Sequence, residues 1–326
     1  KRFKATKKQR SKKMNCCPQL LFLLVVIALG LVQAAEEAIK EHLRGAFQKD
    51  KVQLEKKQRI DNPDYTNPFV FPSNETDAAS NRIIGGRDAA IGRYPYYSRL
   101  DFNGNFRCGG TLVTPDMVLS AAHCAVTTLA DWTVRVGEYY GNGNSIASAE
   151  VRGVVGQYIH PLYDTIFSGF DYDVMLLKLD RPVVGVQTVN LNFNTIVPIP
   201  GSRVTAVGLG QQFIGFPDVL QEVTLLAFGF LICANFFGWV PSQINPVSMI
   251  CASFLGRATC SGDSGGPLLV KGLNASADTQ VGITSFGGIG CINPVTPPVF
   301  TRVSGVQVFI RTTICDNSDE PDPFNC

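Results

Sequence analysis

From residue 83 onward the chain is written in short apolar runs, and this pattern constrains the fold more than any other feature. VLSAAH (118–123), WTVRVGEYY (132–140), DVMLLKL (173–179), RVTAVGLG (203–210), VGITSF (281–286) and PVFTRV (298–303) are rich in β-branched and aromatic residues, and Gly, Pro and Asn separate them. Branched side chains lose rotamers in a helix and pack well on a pleated surface, so such runs form strands. Helical periodicity returns only near residues 306–314. The pattern predicts an all-β body, an antiparallel barrel or sandwich closed by a short C-terminal helix. At 326 residues and 45% apolar, the chain can bury a large core. No fixed-period repeat is visible.

The net charge of +2 is unevenly spread. Residues 1–82 hold 16 Lys/Arg against 9 Asp/Glu, whereas residues 83–326 hold 13 against 18. The body is mildly acidic, which argues against a nucleic-acid surface. The first methionine is Met14, and residues 1–13 read as an extension ahead of it. Residues 20–32 are unbroken apolar residues and Gly, followed by a small-residue cleavage pattern ending at Ala34. Residues 1–35 therefore read as an N-terminal extension and a signal peptide of a secreted, extracellular protein. The competing reading is a membrane anchor with lipidated Cys16 and Cys17. The apolar run has 13 residues, however, against the roughly 20 that a span needs. Residues 36–82 read as a pro-segment: charged and helix-prone to residue 60, then a Pro/Asn/Ser-rich linker. Asn74 and Asn274 open glycosylation sequons.

Eight cysteines follow residue 83: Cys108, Cys124, Cys233, Cys251, Cys260, Cys291, Cys315 and Cys326. An even number behind a signal peptide argues for disulfides, with 105 possible connectivities. A metal site is not expected, because no CxxC occurs and the body has only two histidines. No cofactor is expected either.

GDSGGP (262–267) has the composition of an acyl-transfer site. Ser264 can be a nucleophile, and Gly262, lacking Cβ, lets a substrate carbonyl approach a backbone N–H. Asp263 takes a charge into a tight turn and needs a partner. Among the histidines, His42 lies in the charged front segment and His160 in an Ile-His-Pro turn. His123 ends an apolar run beside a cysteine, where a satisfied core residue is the plain alternative to a base. Asp173 opens a buried strand and reads either as a turn aspartate or as the carboxylate that orients a histidine.

Together these residues resemble the chymotrypsin-like (trypsin-fold, S1 family) serine proteases, most closely a secreted chymotrypsin- or elastase-type zymogen. The resemblance runs from Ile83 to about Ile314. It rests on IIGG (83–86), AAHC (121–124), DxDVMLLKL (171–179), GDSGGP (262–267), SFG (285–287) and PPVFTRV (297–303), in the family's order. It implies two six-stranded antiparallel β-barrels with a short C-terminal helix over residues 83–326. It implies His123 as general base and acid, Asp173 as its orienter supported by Ser285, Ser264 as nucleophile, and the Gly262 and Ser264 N–H groups as oxyanion hole. It pairs Cys108 with Cys124, Cys233 with Cys251 and Cys260 with Cys291, leaving Cys315 for Cys326. It places an activating cut at Arg82–Ile83, with Asp263 receiving the new Ile83 ammonium.

The pocket base falls on Ala258, beside Thr259, with Phe286, Gly287 and Pro298 on the walls. A base without an acid excludes Lys and Arg, so chymotrypsin-like preference is expected first and elastase-like second. Arg82 would then need a separate trypsin-like activating protease. Protein or peptide substrates and protein protease inhibitors are the other expected partners, and the chain is expected to act as a monomer. Some relatives bind calcium in the loop matching Glu138–Glu150, but the intervening Gly/Asn/Ser-rich stretch diverges and no metal is expected there. The alternatives are a catalytically silent homologue serving as a binding module, a membrane-tethered protease and a protease-cascade component.

Overall fold

The computed structural model describes residues 85–142, 149–163, 170–212, 215–236, 243–254, 256–287, 291, 297–320 and 326. All belong to one compact unit, Asn74–Cys326. The expected leader, the pro-segment and the Arg82–Ile83 bond lie outside the described residues.

Seven strands make the first sheet: β2 (Tyr97–Phe102), β3 (Asn105–Thr114), β4 (Met117–Ser120), β5 (Trp132–Val136), β6 (Glu150–Arg152), β7 (Val154–Ile159) and β8 (Met175–Leu179). Their order is β6-β5-β2-β3-β4-β8-β7. The two edges are halves of one bent strand. Only Gly153 separates β6 from β7; β6 pairs with β5 and β7 with β8. The chain crosses from one edge to the other there, and a register shift between Val154 and Gly156 follows the bend. Counted as one, β6 and β7 give the six strands expected.

The second sheet holds β1 (Arg87–Asp88), β9 (Asn190–Leu191), β10 (Arg203–Gly208), β11 (Gln221–Phe228), β12 (Met249–Ser253), β13 (Pro267–Val270), β14 (Thr279–Phe286) and β15 (Val299–Arg302). The circuit β11-β10-β13-β14-β15-β12 closes through a β11–β12 pairing, which makes a six-stranded barrel with no free edge. β1 adds to it at β11, and β9 joins β14 in parallel. The short helix α1 (Phe230–Phe236) had no clear signal in the sequence. The C-terminal helix α2 (Gln307–Asn317) starts one residue later than the periodicity suggests.

Alternation along the strands explains the cores. β5 reads buried–intermediate–buried–intermediate–buried, so Trp132, Val134 and Val136 face inward. The largest core cluster joins Leu100, Leu112, Leu119, Met175 and Leu177 of the first barrel to Val207, Leu269 and Ile283 of the second and to Ile310 and Ile314 of α2. A separate cluster, with Val204, Val223, Ile250, Leu268 and Phe300, fills the second barrel. The cysteines pair as Cys108–Cys124, Cys233–Cys251, Cys260–Cys291 and Cys315–Cys326.

Candidate active site

His123 sits in a single 3-10 turn, Ala122–Cys124, directly after β4. The Cys108–Cys124 disulfide ties that turn to β3. These sulfurs lie within ligand reach of the His123 ring, but they are bonded to each other. Asp173 lies two residues before β8, at the centre of a three-residue turn closed by Val174 N–H to the Tyr172 carbonyl at 2.8 Å. Because β4 and β8 are neighbours, the two residues meet. His123 Nδ1 is 2.7 Å from Asp173 Oδ2, and the His123 backbone N–H donates to Oδ1 at 2.9 Å.

The Asp173 carboxylate is fully buried, so its charge needs those donors. Ser285 Oγ supplies another, to Oδ2 at 2.5 Å, from β14 of the other barrel. By accepting from the His123 Nδ1–H and from Ser285, the Asp173 carboxylate fixes both the orientation and the tautomer of the ring. The ring itself keeps a fifth of its side-chain surface open to solvent.

Ser264 lies on the turn between β12 and β13. Its carbonyl accepts the Gly109 N–H at 2.7 Å, which docks the turn on β3. Gly265 has φ +79°, and a Cβ there would overlap Ser120 Oγ and the Gly109 carbonyl. The serine turn is thus pressed against the start of the histidine turn, and only glycine allows that approach. Among the described residues the His123 ring is bonded to Asp173 and not to Ser264. Such contacts commonly tighten only in the substrate complex. Gly262 has φ +96°, which L side chains rarely adopt, and a Cβ there would lie 3.1 Å from Phe106 and 3.2 Å from Gly210 and Phe216.

Asp263 is completely buried. A Cβ at Gly208 would overlap Asp263 Oδ1, and one at Gly210 would overlap its carboxyl carbon, so these two glycines leave the space it fills. Its oxygens accept the Gly210 and Cys260 N–H groups, each at 2.8 Å. Burial outweighs both bonds and pushes its pKa up to about 6. Among the described residues no cation forms an ion pair with it.

Ala258 and Thr259 are buried. Phe286 pairs with Val299, which sets Gly287 opposite Pro298; a Cβ on Gly287 would be 3.7 Å from the Pro298 Cα. Further along the loop, Cys291 is bonded to Cys260. Residues 288–290 and 292–296 of this loop lie outside the described residues.

Residues 83–310 match the family model Trypsin. The chain belongs to the trypsin family of serine proteases. It is 34% identical over 254 residues to glandular kallikrein of Sus scrofa, covering 73% of this chain and 98% of that protein. It is 34% identical to the vitellin-degrading protease of Bombyx mori, covering 72% and 86% of the two chains. It is 33% identical to trypsin I-P1 of Gallus gallus, covering 76% and 94%.

Four further residues of this trypsin-family site were given no role from the sequence, although Thr301 lies within PPVFTRV. Phe170 packs edge-on to His123 at 5.5 Å and stacks on Phe286 at 5.3 Å. Thr301 Oγ1 donates to the Asp173 carbonyl at 2.8 Å. Asn245 and Ser248 hold Asp171, two residues before Asp173. Each acts across a long sequence separation, and no local pattern marks Phe170, Asn245 or Ser248.

Proposed function

We propose that the protein is secreted as an inactive precursor, is cut between Arg82 and Ile83, and then hydrolyses peptide bonds after aromatic or large aliphatic residues. Ser264 attacks the scissile carbonyl while His123 takes its proton. Asp173 holds the imidazolium that results, and the Gly262 and Ser264 N–H groups stabilise the oxyanion. His123 then delivers the proton to the leaving amine. Water repeats the cycle on the acyl-enzyme.

The observation that carries the substrate preference is the buried pocket base. Ala258 and Thr259 offer no carboxylate, so a Lys or Arg side chain entering there would lose hydration without gaining a partner. Gly287 keeps one wall open. Pro298 opposite it narrows the gap, which favours Leu, Val and Ala as the second class of side chain.

Activation rests on Asp263, which is buried with no cation paired to it among the described residues, so that its charge is costly. The Ile83 ammonium would neutralise it and order the Gly262–Ser264 turn. Since the pocket excludes Arg82, a separate trypsin-like protease makes the cut. The test is one experiment in two stages. Purified intact chain incubated alone should stay uncut at Arg82–Ile83; after brief trypsin treatment and trypsin removal, a peptide library should be cleaved after Phe, Tyr and Leu. Self-cleavage at Arg82, or a preference for Lys and Arg, would overturn the reading.

A further inference from the structure

Residues 170–173 run through unusual backbone immediately ahead of the His123–Asp173 pair. Phe170 has φ 120° and Tyr172 has φ 51°. Bulky L-residues rarely adopt such values, and they persist only where surrounding contacts over-determine them. Four separate segments supply those contacts. Asn245 Nδ2 donates to Asp171 Oδ2 at 2.8 Å, and Ser248 Oγ donates to Asp171 Oδ1; both donors precede β12 of the second barrel. The same Oδ1 accepts the Tyr172 N–H at 3.0 Å, fastening the strained residue itself. The Tyr172 ring lies flat on His160, 4.7 Å between centroids at 12°, and His160 in turn packs on Phe309 of α2. Phe170 is held between Phe286 and His123.

We propose that Asp171 is a positioning residue for proteolysis. Its carboxylate clasps residues 170–172 to the second barrel, and through that clasp it sets both the Asp173 carboxylate and the Phe170 ring against His123. The proposal rests on the roles given to His123 and Asp173 above. The amide of Asn245 is itself oriented, because its Oδ1 accepts the Val247 N–H at 2.9 Å and so turns Nδ2 toward Asp171. That fixed orientation makes an exchange of the two side chains informative. Asp171→Asn sets two amide nitrogens against each other, and Asn245→Asp sets two carboxylates against each other. In the double variant the amide now at position 171 donates to the carboxylate now at position 245, while Ser248, Tyr172 and Val247 keep their acceptors.

The experiment measures kcat and KM on a short peptide substrate for the trypsin-activated full chain and the three variants. Each single variant should lose about tenfold in kcat with KM within about twofold, because small misplacements of catalytic groups act on the chemical step. The double variant should recover to within about threefold of the parent. If Asn245→Asp does not fold, Asn245→Ala takes its place and must show the same kcat loss. Single variants with unchanged kcat, or a double variant no better than the singles, would overturn the clasp. Ser264→Ala and His123→Ala are assayed in parallel. If they retain activity, the underlying assignment fails; if they are dead while the exchange has no effect, the clasp alone fails.

Discussion

Asp263 is where a single side chain sets a property that can be followed by titration. Its pKa of about 6 lies above the usual value of 3.8, so the fold favours the neutral acid. The contribution of this group is therefore fully present below about pH 3.8 and is lost as pH rises through about 6, a change of about 3 kcal/mol in all. Intact chain should unfold more readily at pH 8 than at pH 5, and Asp263→Asn should flatten that slope in urea unfolding at several pH values. A slope unchanged by the substitution would remove Asp263 as its source. At this scale the sequence was most legible where chemistry requires one residue type beside another. His123, Asp173, Ser264 and Ser285 carry their motifs with them. Phe170, Asn245 and Ser248 do not, since an aromatic, an amide or a hydroxyl is common anywhere and only the folded neighbourhood selects it; Thr301 lies in a motif, but its bond to the Asp173 carbonyl is visible only in the fold.

Among the elements, β8 carries the most consequence. It starts two residues after Asp173, and its Lys178 is buried between two carboxylates, Asp116 from the β3–β4 turn and Asp319 from beyond α2. Burial drives the Asp116 carboxyl up, but Lys178, Ser318 and the Asp319 amide outweigh it and leave the group below its usual value. Its contribution is thus present above about pH 4 and is lost as pH falls further. Lys178→Met should cost about 3–5 kcal/mol in urea unfolding, because it leaves a buried carboxylate without its cation. A cost below about 1 kcal/mol would show that the remaining hydrogen bonds suffice. The strands themselves were readable from branched residues and breaks. The bend at Gly153 was not, because a glycine inside a strand marks a bulge, a close approach or a bend equally well.

For the molecule as a whole, the two barrels contribute opposite halves of the candidate site. The first brings His123 and Asp173; the second brings Ser264, Ser285 and the proposed substrate pocket. Six ordered motifs named the candidate residues in advance but not which barrel carries each, and the sharing of apolar side chains between the barrels was invisible in the sequence. The core cluster that holds Leu100 and Met175 also holds Leu269, Ile283 and Ile310. Neither barrel can come apart without stripping side chains from the other. The activated chain, residues 83–326, should therefore melt in one calorimetric transition, with near-ultraviolet dichroism and loss of peptidase activity sharing a midpoint. Two resolved transitions would show the halves to be independent. A molecule that melts in one step offers no half-open state in which to linger: heat would take it from working enzyme to unfolded chain, and a neighbouring protease would meet either the whole of it or an easy meal.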